Sequence, residues 1–321
     1  MKQLTARVAL ALAGLFTTGM SLANYPERPI RLIVPFAPGG GADLTSRVIS
    51  QRLAASLGKP VVVENRPGGA GNIGTEAVAR APADGHTLLL ATFSTAFNVN
   101  LSAKLPFNPL TDFEPVSLVV TVPLVVVVHP SLPVVSIQEL IQLARARPGQ
   151  LNYSSGGAGT ANHVGGELFK HMANVQIVHV AYKGGGPALA DLVGGQVQLK
   201  FATMTSTRDL IKAGRLRALA TTGATRSPSA PELPTVAESG VPGYAINAWY
   251  GVLAPAGTPR PIITRLAGEL AQMLRIAEVR DALLAQGNDP VGSSPEEFGR
   301  HLRDEIDKWA KVVQASGLQA N

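Results

Sequence analysis

The chain has 321 residues, 45% of them hydrophobic and 16% charged, which suits one large domain or two medium ones with a real core and excludes a disordered chain. The net charge of +6 comes from scattered basic residues, densest at Arg145/Arg147 and Arg215/Arg217, and aromatics make up only 5%. No Lys/Arg run tracks a phosphate backbone, so nucleic acid is not an expected partner, and the absence of cysteine excludes disulfides and a lipid-bearing cysteine.

Taken in chain order, residues 1–23 read as an export signal. Lys2 and Arg7 form a basic start, Val8 to Phe16 an apolar stretch too short to span a bilayer, and Ser21-Leu22-Ala23 a small-residue cleavage site before Asn24. Cleavage near Ala23/Asn24 leaves a mature charge of +4 and places the protein in the periplasm.

From Ile30 to Thr92 the grammar is strand, glycine turn, helix. Ile30 to Pro35 reads as a strand, and Leu44, Val48, Leu53 and Leu57 mark a helix face ending at Gly58. A strand at Val61 to Val63, a helix from about Asn72 to Arg80 and a strand from Thr87 to Ala91 follow. Such alternation predicts a parallel sheet covered by helices. Val116 to Val128, broken by Pro123, reads as two buried strands around a break. The grammar then restarts. Ser136 and Glu139 cap a helix, and strands are expected at Leu151 to Ser154, Gln176 to Ala181, Val197 to Thr203 and Leu216 to Thr221. Ser227 to Gly243 reads as a long ordered loop. Ser294-Pro-Glu-Glu297 opens a last helix whose apolar stripe is Phe298, Leu302, Ile306, Trp309 and Val313.

Four glycine-rich turns hold 12 of the 33 glycines: Phe36 to Asp43, Arg66 to Asn72, Ser154 to His163 and Tyr182 to Pro187. Each lies where a strand gives way to a helix. There the missing Cβ lets backbone N–H groups at a helix N-terminus close on an anion. One such loop alone is an ordinary tight connection. Four, shared between two similar halves, point to a binding cleft beyond the carboxyl ends of the strands.

Catalytic and cofactor readings fail on context. Gly69-Ala-Gly-Asn-Ile-Gly74 matches a dinucleotide fingerprint by letter, yet the next strand ends in Ala91-Thr92-Phe93 without the acid that would meet a ribose. His163, Glu167 and His171 span about 12 Å of helix, so they cannot share one ion. Ser154 and Ser155 precede glycines with His163 near, but no carboxylate is dictated beside them and no Gly-x-Ser-x-Gly elbow exists. The expectation is a binder without catalytic residues, cofactor or metal.

From Tyr25 onward the chain resembles the Bug-type solute receptors of tripartite tricarboxylate transporters. The resemblance rests on Tyr25-Pro-Glu-Arg-Pro-Ile-Arg-Leu-Ile-Val-Pro-Phe-Ala-Pro-Gly-Gly40, Val63-Glu-Asn-Arg-Pro-Gly-Gly-Ala-Gly-Asn72, Ala83-Asp-Gly-His-Thr-Leu88, Ala181-Tyr-Lys-Gly184, Ala213-Gly-Arg-Leu-Arg-Ala-Leu219 and Gly251-Val-Leu-Ala-Pro-Ala-Gly-Thr-Pro259. It implies an α/β, two-lobed periplasmic binding protein of the Venus-flytrap, type II-like kind, each lobe a mainly parallel sheet covered by helices. Lobe 1 would be 24–122 plus 250–321 and lobe 2 would be 123–249, with hinge crossings at Pro123 and Trp249 to Gly251.

The resemblance also implies a ligand site. Phe36, Ala37, Pro38, Gly39, Gly40 and Asp43 would face the cleft from lobe 1. Ser154, Ser155, Gly157, Gly159 and Thr160 would offer donors from lobe 2, with Ser94, His163, Tyr182, Ala202 and Thr203 as further lining. Many relatives carry aspartate after the phenylalanine where this chain has Phe201-Ala202, so the expected ligand is a non-amino acid: a di- or tricarboxylate or an aromatic acid. The implied partners are that small organic acid and the membrane subunits of a tripartite tricarboxylate transporter, with the receptor itself a monomer. An enzyme acting on an anion in the same cleft, and a receptor serving a sensor protein, are the alternatives.

Overall fold

A computed structural model of the chain describes residues 25–101, 105–227 and 229–316, so the expected export signal lies outside the described residues. Among the described residues ten strands run mostly in alternation with helices. The first half opens with β1 (Ile30–Val34), α1 (Gly41–Leu57), β2 (Val61–Asn65), α2 (Asn72–Ala79), β3 (Thr87–Thr92) and the short α3 (Phe93–Phe97). β1 pairs in parallel with both β2 and β3, as the alternation requires. Helix α1 ends where Gly58 takes a left-handed φ of 69° and its N–H caps Ala54 O. Its buried stripe runs through Thr45, Ile49, Leu53 and Leu57, while Leu44 and Val48 are only half-buried.

The valine-rich run differs from the sequence expectation. Pro123 does not divide it: Phe113–Val128 is one strand of 16 residues, β4. Up to Pro123 it pairs antiparallel with β9 (Asn247–Pro255), and from Leu124 onward with β7 (Leu199–Thr203) and β8 (Arg217–Thr221). The proline thus sits where the strand exchanges partners, and its missing N–H interrupts no continuous ladder. Val119, Val120, Val122 and Leu124 to Val128 are fully buried. Each is worth about 1.5 kcal/mol or more relative to exposure, so the strand tolerates the lost donor.

β4 is therefore common to two sheets. The first runs β2-β1-β3-β9-β4, with the two-residue β10 (Asp289–Pro290) on the far side of β4. The second runs β6 (Val178–Ala181), β5 (Asn152–Ser155), β7 and β4, with β8 on the far side. In that second half, β5 pairs in parallel with β6 and with β7. Helices α4 (Ile137–Ala146), α5 (Ala161–Ala173), α6 (Gly185–Val193) and α7 (Met204–Lys212) follow the glycine turns and strand ends there.

The C-terminal segment returns to the first half through α8 (Arg260–Met273), α9 (Ala277–Ala285) and α10 (Pro295–Ser316). Ser294 Oγ accepts from Glu297 N at 3.2 Å while Glu297 Oε2 accepts from Ser294 N at 2.8 Å, a reciprocal cap. Trp309 stands edge-on to Phe93 and Phe97, with ring centroids 5.1 and 5.8 Å away. Phe298 lies over Gly251 of β9, where any Cβ would collide with its ring.

Candidate functional site

The carboxyl ends of β1, β3, β5 and β7 converge on one cleft between the two sheets, with about 560 Å³ of atom-free space, part of it continuous with solvent. The first half contributes Phe36, Gly40, Gly41 and Ala42 at the start of α1, Thr92, Phe93 and Ser94 at the end of β3, and Ala248 and Tyr250 of β9. The second half contributes Gly156, Thr160, Ala161 and Asn162 at the start of α5, Gly185 at the start of α6, and Lys200, Thr203 and Ser206 around β7 and α7. Helix N-termini from both halves thus present backbone donors to one space, and their dipoles make it favourable for negative charge.

Why the chain folds this way is visible at each helix start. Gly40 is extended at φ −85° and ψ 168°, and its carbonyl accepts the first helical bond from Leu44 N at 3.0 Å. A Cβ on Gly41 would collide with Thr203 Oγ1 and lie 2.9 Å from Tyr250 Oη, so that glycine lets α1 start against β7 and β9. Thr160 caps α5 by accepting from His163 N at 3.3 Å. Asn162 donates to Phe201 O, fastening the start of α5 to β7.

The structure separates the residues expected at the site into those that line the cleft and those that build it. Phe36, Gly40, Ser94, Thr160 and Thr203 line it. Asp43 is buried beneath the first turn, where it accepts from Gly39 N at 3.0 Å, Asn65 Nδ2 at 3.1 Å and the Arg47 guanidinium. Burial alone would raise this carboxyl, but those hydrogen bonds outweigh it and hold the group below its ordinary range. Ser154 Oγ is consumed by Ala188 O at 3.0 Å, and Tyr182 Oη donates to Asp191 at 2.5 Å. Ala202 is fully buried in strand pairing with Val125.

Ser155 and His163 belong to a polar cluster behind the cleft. Ser155 Oγ lies 2.6 Å from His179 Nε2 and accepts from Gly157 N at 3.0 Å, while His163 Nδ1 accepts from Gly159 N at 3.1 Å. The two imidazoles are 4.3 Å apart. Burial lowers both, His179 to about 4 with His163 as the next cause, so both rings are neutral at neutral pH and shape the third glycine turn.

The remaining expected residues form a seam between the halves. Ala37 N donates to Lys183 O at 3.2 Å, and a Cβ on Gly186 would collide with Pro38 O. A Cβ on Gly40 would come within 3.2 Å of Gly185 Cα, and one on Gly39 within 3.8 Å of Gly186 Cα. The first turn therefore meets the fourth. The third meets the second: Gly157 and Gly159, both at positive φ, pack against Ala70 and Asn98.

Lys200, Ser206 and Thr92 line the cleft outside every segment the sequence marks for binding, and Tyr250 and Asn162 line it from the expected hinge crossing and the third glycine turn. Nothing local marks the first three, because strand and helix order alone brings them together. No group of three or more His, Cys, Asp or Glu among the described residues has a metal-binding arrangement. No helix among them is long and apolar enough to cross a membrane.

Residues 45–318 match the family described as "Tripartite tricarboxylate transporter family receptor". The protein BugT of Bordetella pertussis is 41% identical over 318 residues, covering 97% of this chain and 98% of its own. A Rhodopseudomonas palustris protein solved with adipate is 40% identical with a TM-score of 0.90, covering 92% of this chain and 99% of that one. MatC of Rhodopseudomonas palustris, solved with bound malate, is 31% identical with a TM-score of 0.86, covering 90% and 100%.

Proposed function

The chain belongs to the tripartite tricarboxylate transporter receptor family, and on that premise we propose that it captures a small organic carboxylate between its lobes and delivers it, unchanged, to the membrane subunits of such a transporter. The observation that carries the reading is the facing pair of helix N-termini, α1 and α5, in a cleft whose lining includes no Asp or Glu. An anion is stabilised there by backbone N–H groups and the helix dipoles, while an ammonium group finds no counter-charge. The relatives solved with adipate and with bound malate support the class.

The lobes of this reading are 24–122 with 250–321, and 123–249. The exchange of strand partners at Pro123 and the return of α10 onto Phe93 and Phe97 support that division. The receptor acts as an exported monomer, its signal removed near Ala23/Asn24. Titrating the purified protein calorimetrically with di-, tri- and aromatic carboxylic acids and with amino acids tests the reading, with recovered ligand analysed by mass spectrometry. Binding of acids that are recovered intact is expected. Exclusive binding of amino acids, or conversion of the ligand, overturns it.

A further inference from the structure

Lys200 sits where a strand interior calls for an apolar side chain. It lies on β7 between β4 and β5, with Val127 and Ser154 as its Cα partners. The residue is 1% exposed, and its Nζ has no hydrogen-bond partner among the described residues. It nevertheless lines the cleft, and among the described lining residues it is the one with a basic side chain, with no carboxylate to offset it. An ammonium buried without a partner is costly, and the cost shows in its being pulled down to about 7 by burial. An anion entering the cleft removes that cost.

The cleft therefore holds two kinds of anion donor, the partial charges at the starts of α1 and α5 and the full charge of Lys200. A single carboxylate satisfies one of them and leaves the other. Given the receptor reading above, on which this inference rests, we propose that Lys200 selects dicarboxylates, pairing with one carboxylate while the N-termini of α1 and α5 hold the other.

The test is calorimetric titration of wild type, Lys200→Met and Lys200→Gln with adipate and with hexanoate, its monocarboxylate counterpart. Wild type is expected to prefer adipate, and both variants to lose ~10- to 100-fold of adipate affinity, as truncation of a desolvated charge pair does, with hexanoate affinity little changed. Removing a buried charge leaves the fold intact, so each variant should melt no lower than wild type without ligand. Equal losses for both acids, or undiminished adipate binding, overturn the assignment of Lys200 while leaving the receptor reading standing. Binding of no acid by wild type overturns both.

Discussion

With its ammonium held near 7 by burial, Lys200 ties ligand affinity to pH. A paired carboxylate favours the charged form and raises the bound-state value above the free one. Affinity for a dicarboxylate is then greatest below pH 7 and declines as the pH rises from about 7 toward the bound-state value, with one proton taken up per ligand in that window. The other titratable groups near it are quiet there. His179 is neutral because burial holds it at about 4, and burial raises Tyr250 far above its ordinary value, keeping it protonated. Dissociation constants measured between pH 6 and 9 check this; the dependence should vanish in Lys200→Met. Residues of this kind are not legible in a sequence. A lone lysine among apolar strand residues looks like a solvent-facing position, and only the packing of β7 between two neighbours shows that it is not. Asp43, by contrast, was legible as part of the first turn, but its role as the buried acceptor that shapes that turn needed the coordinates.

At the scale of the elements, the alternation of strand, glycine turn and helix carried most of the fold, because each turn exposes its signal locally: glycine where φ is positive or where two backbones meet, and an N-cap where a helix begins. Two things were hidden. Strand β4 looks like two in the sequence because a proline ordinarily ends a ladder; it does so here only by exchanging partners. The opposite number of each glycine turn was also hidden, since pairing across a cleft is a long-range fact. That pairing makes a prediction. In Gly186→Val the new side chain would meet Pro38 O across the seam, a clash that parting the two turns would relieve. Carboxylate affinity should fall by about tenfold or more, with the melting temperature of the unliganded protein unchanged within a degree or two. An equal loss of both would show that the seam is part of the fold and not of its closure.

For the molecule as a whole, the two proposed lobes meet through the Ala37–Lys183 hydrogen bond and through side chains, Thr205 Oγ1 donating to Asn288 Oδ1 at 2.9 Å and Arg208 to Ala285 O. An acid held by both lobes makes contacts that only the closed form offers, so its binding shifts the population toward closure. Small-angle scattering should show a larger radius of gyration for the empty receptor than for the receptor saturated with its acid. An empty receptor as small as the filled one would contradict ligand-driven closure.

The continuity of β4 has one more consequence. A flap hung on loops swings freely, but two bodies built on one unbroken strand turn against each other by winding that strand, as a torsion bar is wound. Its ladders on either side of Pro123 are anchored among fully buried valines, so the twist must concentrate in the one or two peptide units where the partners change. On the proposed lobe division, the strand's own twist would set a resting angle between the bodies, and turning them either way from it would meet an elastic restoring torque.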